Sequence, residues 1–430
     1  MSVARRSLLL FAGLFVLFVV VGWALGAANI SLLLVQSFAY ALVALGLNIQ
    51  WGYGGLFNFG IMGMLMLGGA AVTFISYPVN AQFWGSEGPL MLGKALMALL
   101  AGFLLIWGAR RADRLGIKGK WKSFVTVLAW IVAYIVYRSQ IDPAAAYIES
   151  AGGGWVGGLG LHPVLGWLFG GVLAAGVAYV VGKICLGLRT DYLAIATIGI
   201  SEIIRALLKN MDWLTRGTLT VSPIPWPTPL PQDLQAQGVS IADSFIYARL
   251  GFLALVLIIL AIAFFLVQRA YGGPWGRMMR AIRDNHIAAA SMGKDVTRRQ
   301  LEIFVLGSVL MGIGGAILVS FQQIYDPGSY QPINHTFLIW VMVIVGGAGN
   351  NWGAVFGALL IYITWMISDP VAQAVMNAIS GWSTDIGWGG IPEIQSRASQ
   401  MRVFVLGVVI TIALRYAPRG LIPEVVRREA

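Results

Sequence analysis

Few side chains in this sequence are equipped for chemistry, and their spacing narrows what that chemistry is. The histidines His162, His286 and His335 lie far apart and near no carboxylate cluster, and Cys185 is the single cysteine. A catalytic metal centre, a thiolate cluster and a disulfide framework are therefore not expected. No Gly-x-x-x-x-Gly-Lys-Ser/Thr phosphate loop occurs, so hydrolysis of ATP by that route is not expected either. No segment gathers several carboxylates or histidines as a proton relay would. What remains are isolated polar residues inside apolar runs: Gln36, Asn48, Asn58, Asn351, and Glu202 with Arg205. Burying such a group without a partner is costly, so each either pairs inside the protein or lines a polar pathway. Glu202 and Arg205, spaced i and i+3, share a helix face and either neutralise each other or meet a solute. No catalytic residue, metal site or cofactor is expected, and the chemistry left is the non-covalent passage of a small polar molecule.

A second group of residues is built for contact. Pro274 can open a helix, and Arg280 Ala281 Ile282 Arg283 Asp284 Asn285 His286 Ile287 Ala288 Ala289 Ala290 Ser291 Met292 Gly293 reads as a short helix stopped by Gly293. Ala288, Ala289 and Ala290 form a small face that a partner can approach closely, with Ile282, Ile287 and Met292 as apolar anchors. An interfacial amphipathic helix lying on anionic lipid fits the same pattern.

The elements that position these residues belong to a bilayer. Of 430 residues, 58% are hydrophobic and only 11% charged, against roughly 25% charged in soluble domains. The formal net charge of +11 reads as membrane topology rather than a nucleic-acid signal, because Lys and Arg collect in cytoplasmic loops. A crossing helix needs about 20 apolar residues. Twelve apolar runs qualify in whole or part: Ser7 to Ala28, Ile30 to Ile49, Gly60 to Ile75, Leu90 to Ala109, Phe124 to Tyr137, Pro163 to Leu186, Tyr192 to Leu208, Ala248 to Val267, Leu301 to Phe321, Phe337 to Val345, Gly353 to Ile367 and Met401 to Leu414. The first is too long for a secretory signal and reads as a membrane anchor. Basic residues cluster at Arg5 and Arg6, at Arg110 to Lys122, at Arg277 to Arg299 and at Arg415 to Arg428, whereas Asn210 to Tyr247 and Ser368 to Gln400 hold only Arg216 and Arg397. An even number of crossings with both termini cytoplasmic satisfies this alternation. The expectation is an all-α, polytopic transmembrane bundle of about 10 to 12 segments, one domain over 1–430, with a cytoplasmic loop at 270–300.

Glycine interrupts two runs alike. Gly52, Tyr53, Gly54, Gly55, Leu56, Phe57, Asn58, Phe59, Gly60 precedes one apolar helix, and Gly346, Gly347, Ala348, Gly349, Asn350, Asn351, Trp352, Gly353 precedes another. Irregular backbone at membrane depth survives only where protein or water satisfies it, so paired breaks point to a parallel repeat whose broken helices line a pathway; close helix packing at glycine is the simpler alternative. Prolines alternate at Pro223, Pro225, Pro227, Pro229 and Pro231, which predicts a stiff exposed connection.

Four stretches together resemble a known family. Leu188 to Arg205, Gly276 to Phe304, Val345 to Gly353 and Ala417 Pro418 Arg419 Gly420 Leu421 Ile422 Pro423 are similar to the LivM-type permeases of branched-chain amino-acid ABC importers, a likeness covering most of residues 30 to 80 and 160 to 425. The resemblance implies that Arg280 to Gly293 is the EAA-like coupling segment, with Arg280, Arg283, Asp284, Ile287, Ala288, Ala289, Met292 and Gly293 meeting the ATPase; the polar residues inside the apolar runs, Gln36, Asn48, Asn58, Glu202 and Asn351, are the pathway candidates. It implies two ATPase subunits that bind the ATP, a LivH-type companion permease, a periplasmic substrate-binding protein and residence in a bacterial inner membrane. His286 departs from the family where an acidic residue is common, and residues 90–159 look like an inserted helical hairpin with a basic turn. A urea or short-amide permease of the same family and a self-sufficient secondary transporter are the rival readings; a membrane enzyme lacks clustered titratable groups.

Overall fold

The computed structural model describes residues 3–112, 118–150, 153–386 and 392–424. Each apolar run is a helix in it. In chain order all the described α-helices are α1 (Val3–Leu25), α2 (Ala27–Leu47), α3 (Ile61–Ser76), α4 (Ala81–Trp84), α5 (Gly88–Arg110), α6 (Lys120–Ser150), α7 (Pro163–Cys185), α8 (Thr190–Asn210), α9 (Asp212–Thr215), α10 (Pro231–Ala236), α11 (Ile241–Gly272), α12 (Pro274–Asp284), α13 (His286–Ser291), α14 (Val296–Gln322), α15 (Leu338–Gly346), α16 (Asn351–Asp385) and α17 (Ile394–Tyr416). Two π-helical turns, Asn48–Tyr53 after α2 and Ile333–Phe337 before α15, extend their neighbours. Among the described residues no strand forms beyond the isolated bridges Val79 with Gly157 and Val221 with Tyr325.

Nine of the described helices are long and apolar enough to cross a membrane, which makes this an all-α polytopic bundle. Helix α3 and the stretch Ile333–Gly346 are apolar but shorter; at about 1.5 Å per residue, the 16 residues of α3 fall short of a hydrocarbon core of about 30 Å. Helix α8 is not among the nine, because polar residues share its length with apolar ones and make it amphipathic. Two expected boundaries move. The run from Gly353 continues to Asp385 in a helix of 35 residues, so most of the presumed loop after Ile367 is helical; Ala372, Ala374, Met376 and Ala378 favour that state. The alternating-proline segment is not simply exposed: Val221 and Ile224 are buried, their amides bond to the carbonyls of Tyr325 and Gln323, and Trp226 stacks on Phe321 at 5.5 Å.

Helices α2, α3, α14, α15 and α16 form the centre, and α1, α5, α6 and α17 leave most of their side chains on the outside. Water expulsion does not drive helices together in lipid, so close approach through small residues does that work. A β-carbon on Gly68 of α3 would collide with the Gly312 carbonyl of α14, and one on Gly312 would collide with Ala174 and the Gly170 carbonyl of α7. Helices α5 and α6 pack on each other, with Gly102 facing Ala133 and a small cluster of Ile106, Ala129 and Ala133 separate from the main core. Their principal contacts with the rest of the chain run through α4 and α9. Within the basic turn joining them, Arg114 lies outside the described residues, as do Arg427 and Arg428.

Candidate functional site

The two glycine breaks meet in space. In the first, α2 widens into the π-helical turn Asn48–Tyr53 and the chain then runs irregularly to α3. Gly55 takes a φ of 68°, and a β-carbon on Gly52 would collide with the Gly349 amide and the Asn48 side chain. In the second, Gly347 and Gly349 hold positive φ of 123° and 80°, and Asn350 restarts the helix by accepting from the Trp352 amide at 3.0 Å. Asn48 joins the breaks: its Nδ2 donates to Asn351 Oδ1 at 3.1 Å and its Oδ1 accepts from the Gly349 amide at 2.8 Å. Asn351 Nδ2 passes the connection to Gln268 Oε1 on α11 at 2.8 Å.

A second chain of polar contacts braces the first break. Asn58 is fully buried; its Nδ2 donates to Gln50 Oε1 at 2.8 Å and its Oδ1 accepts from the Gly60 amide at 2.8 Å. Gln50 Nε2 in turn donates to the Phe304 carbonyl at 2.7 Å and Ser308 Oγ at 3.1 Å, both on α14. Trp340 Nε1 donates to the Asn58 carbonyl at 3.1 Å, and Thr197 Oγ1 accepts from the Phe59 amide at 3.0 Å. These bonds supply what the interrupted helix leaves unmet. Sequence reasoning missed Gln50, Gln268 and Ser308. Gln50 had a signal, a polar side chain directly after an apolar run and in front of the glycines; Gln268 and Ser308 had none beyond their place within apolar helices.

The other pathway candidates lie apart from this network. Gln36 on α2 accepts from the Tyr362 hydroxyl on α16 at 2.7 Å, beneath the stacked pair Tyr40 and Tyr362. Glu202 and Arg205 on α8 form an ion pair at 3.0 Å with both side chains partly exposed, and Arg205 Nη1 also donates to the Tyr330 carbonyl at 2.9 Å.

The Arg280 to Gly293 stretch is two helices rather than one. Asn285 leaves the helical conformation (φ −156°, ψ 98°) and caps α13 by accepting from the Ile287 and Ala288 amides, a side-chain bond that competes with helix continuation. Gly293, at φ 74°, ends the element as expected. The apolar residues divide: Ile282 and Ala289 are buried against the chain itself, whereas Ile287, Ala288, Ala290 and Met292 are exposed. Asp284 is exposed and accepts from Arg283 Nε at 3.2 Å.

Arg283 connects this element to the breaks. Its Nη1 donates to the Gly52 carbonyl in the first break and to Glu424 Oε2 at 2.9 Å. Burial pulls the Arg283 pKa down, but Glu424 and then Asp284 push it up, and the net direction is upward. The residues after α17 dock on the second break: the Leu421 and Ile422 amides donate to the Val345 and Gly346 carbonyls, each at 2.8 Å, and Asn350 Nδ2 donates to the Pro423 carbonyl at 3.1 Å. Arg280, Glu424, Gln268, Tyr271 and Trp352 line a cavity of about 280 Å³ where these parts converge.

Known proteins resemble this chain over most of its length. A family model described as the permease component of the branched-chain amino acid transport system matches residues 29–139 and 123–414. The chain is 26% identical over 264 residues to the high-affinity branched-chain amino acid transport system permease protein LivM of Salmonella typhimurium, covering 59% of this chain and 56% of that one. The Escherichia coli protein of the same name gives the same figures. A probable branched-chain amino acid transport permease protein LivM from Methanocaldococcus jannaschii is 25% identical over 395 residues, 92% of this chain and 93% of the relative. The match thus spans little more than half the length of the two enteric relatives. No solved structure matches the chain.

Proposed function

Since the chain belongs to the branched-chain amino acid transport system permease family, we propose that it is a membrane-spanning subunit of an ABC importer that carries branched-chain or related amino acids into the cytoplasm. The observation that carries this reading is Arg283, which ties α12 to the first break at Gly52 and, through Glu424, to the tail seated on the second. A push received by α12 and α13 therefore reaches both broken helices, which is what a subunit driven by a separate ATPase requires.

In this reading the exposed Ile287, Ala288, Ala290 and Met292 meet an ATPase subunit that binds and hydrolyses the ATP, with Asp284 and Gly293 shaping the same contact. A LivH-type permease completes the membrane part, and a periplasmic binding protein delivers the solute. The chain lies in the bacterial inner membrane, with both termini and the 270–300 loop on the cytoplasmic side, where the basic residues collect. Asn48, Asn58 and Asn351 hold the breaks together in this conformation and line the solute's route when the breaks part; Gln36 and Glu202 extend that route outward. A urea or short-amide solute is the alternative, since one membrane fold serves different binding proteins.

The test is ATP-dependent uptake of radiolabelled leucine by vesicles carrying the chain with its co-expressed ATPase and second permease, with the binding protein supplied. Uptake that needs all four components is the expected result. Uptake by the chain alone, unaffected by ATP, would make it a secondary transporter, and uptake of urea but not leucine would select the alternative solute.

A further inference from the structure

Glu424 has two arginines within ion-pair reach on one face of α12 and hydrogen-bonds only one. Its Oε2 accepts from Arg283 at 2.9 Å, while its Oε1 stands 3.9 Å from Arg280 Nη1, beyond hydrogen-bond distance. That Oε1 is buried without a hydrogen-bond partner. An orphaned carboxylate oxygen is costly, and a donor just out of its reach belongs to the residue three positions back, on the same helix face. The cavity beside it, about 280 Å³ and lined by Arg280 and Glu424 themselves, leaves the carboxylate room to turn.

The carboxylate is not on a loose tail. Leu421 and Ile422 give their amides to carbonyls of the last turn of α15, Ile422 is buried, and Gly420 at φ 81° lies so close to Gly347 that a side chain would collide with it. Gly349 is equally constrained, since a β-carbon there would come within 2.7 Å of Glu424 Oε2. Glu424 therefore moves with the second break. Arg283 holds the first break through the Gly52 carbonyl.

We propose that Glu424 is a positioning residue of the coupling step, passing from Arg283 to Arg280 when α12 is displaced, so that the two glycine breaks shift relative to each other. One helical turn along α12 is about 5.4 Å, and interfaces of this kind jump between discrete partners rather than stretching. In the structure Glu424 holds Arg283 and the breaks are locked through Asn48. After the exchange the second break follows Arg280 while Arg283 keeps Gly52, which pulls apart the Asn48 contacts to Gly349 and Asn351. The inference rests on the permease reading for its purpose, though the exchange itself is a property of this chain.

Two measurements test it. Spin labels at Arg277→Cys on α12 and Arg419→Cys in the tail, both exposed positions, in a Cys185→Ser background, report their separation in the purified complex or the chain alone. Two populations about 5 Å apart are expected, with Arg280→Gln removing one of them; a single distance in every nucleotide state overturns the exchange. In vesicles, Arg280→Gln should lower uptake roughly fivefold or more at unchanged complex recovery, and Arg280→Lys should restore it. Wild-type uptake by Arg280→Gln overturns the proposal. If the wild-type complex itself takes up nothing, the permease reading fails while the distance measurement still decides the exchange.

Discussion

Gln50 shows how much one side chain carries where a helix is broken. It takes the Asn58 amide on one side and gives its own to the Phe304 carbonyl and Ser308 hydroxyl on the other, so replacing it by leucine strands Asn58 Nδ2, while the Phe304 carbonyl keeps the Ser308 hydroxyl. A buried donor left without a partner costs about 1–3 kcal/mol. Gln50→Leu should lower the thermal midpoint of the purified chain clearly, and Ser308→Ala should lower it much less, since Gln50 Nε2 keeps the Phe304 carbonyl. Equal losses from the two variants would show that the network does not brace the break. Gly52→Ala should be worse than either, because its methyl has no space between Asn48 and Gly349.

Among the elements, α13 separates inward from outward. Ala289 is buried on the chain's own core, so Ala289→Trp overpacks the fold at a cost of about 1–3 kcal/mol and says little about a partner. Ile287, Ala288, Ala290 and Met292 are exposed. Ile287→Asp and Ala290→Trp should leave the thermal midpoint in place and abolish co-purification of the ATPase; retention of the ATPase by both would remove this surface from the contact. The glycines of the central helices divide in the same way. Gly68→Ala should loosen the crossing of α3 and α14, whereas Gly199→Ala on α8 meets nothing within 4 Å and should be neutral or stabilising by up to about 1 kcal/mol. Size-exclusion profiles after graded heating compare the two.

For the whole molecule, the question is what the α5–α6 hairpin contributes. The pair has its own small cluster and meets the rest chiefly through α4 and α9, while the residues just after it are tied into the core: the Val156 amide donates to the Trp213 carbonyl, Gly158 to Pro78 and Leu159 to Phe74. A deletion should therefore remove 91–150 and keep 153–160, joined by a flexible linker. The shortened chain is expected to insert, recover its partners and support ATP-dependent uptake near the wild-type rate. Insertion with loss of the second permease or the ATPase would instead make the hairpin part of the assembly surface. Helix α16, 35 residues long, reaches about 50 Å at 1.5 Å per residue and so projects well past a bilayer core.

The sequence alone determined the class and the element plan. Hydropathy over twenty residues is a local property that the bilayer reads segment by segment, so every apolar run appeared as a helix, and the glycines at 52–60 and 346–353 announced where two of them break. It also marked Asn48, Asn58 and Asn351 as residues needing partners. Only the tertiary structure decided who those partners are, because Asn48 and Asn351 lie 303 positions apart and hydrogen bonding has no signature along a chain at that distance. The same holds for Arg283 and Glu424, 141 positions apart: Arg283 read as a residue of the coupling segment facing a partner, and Glu424 carried no signal at all. Helix ends past the bilayer, the burial of Ala289 and the split at Asn285 were likewise settled by packing and capping, which act after the apolar runs have already found the membrane.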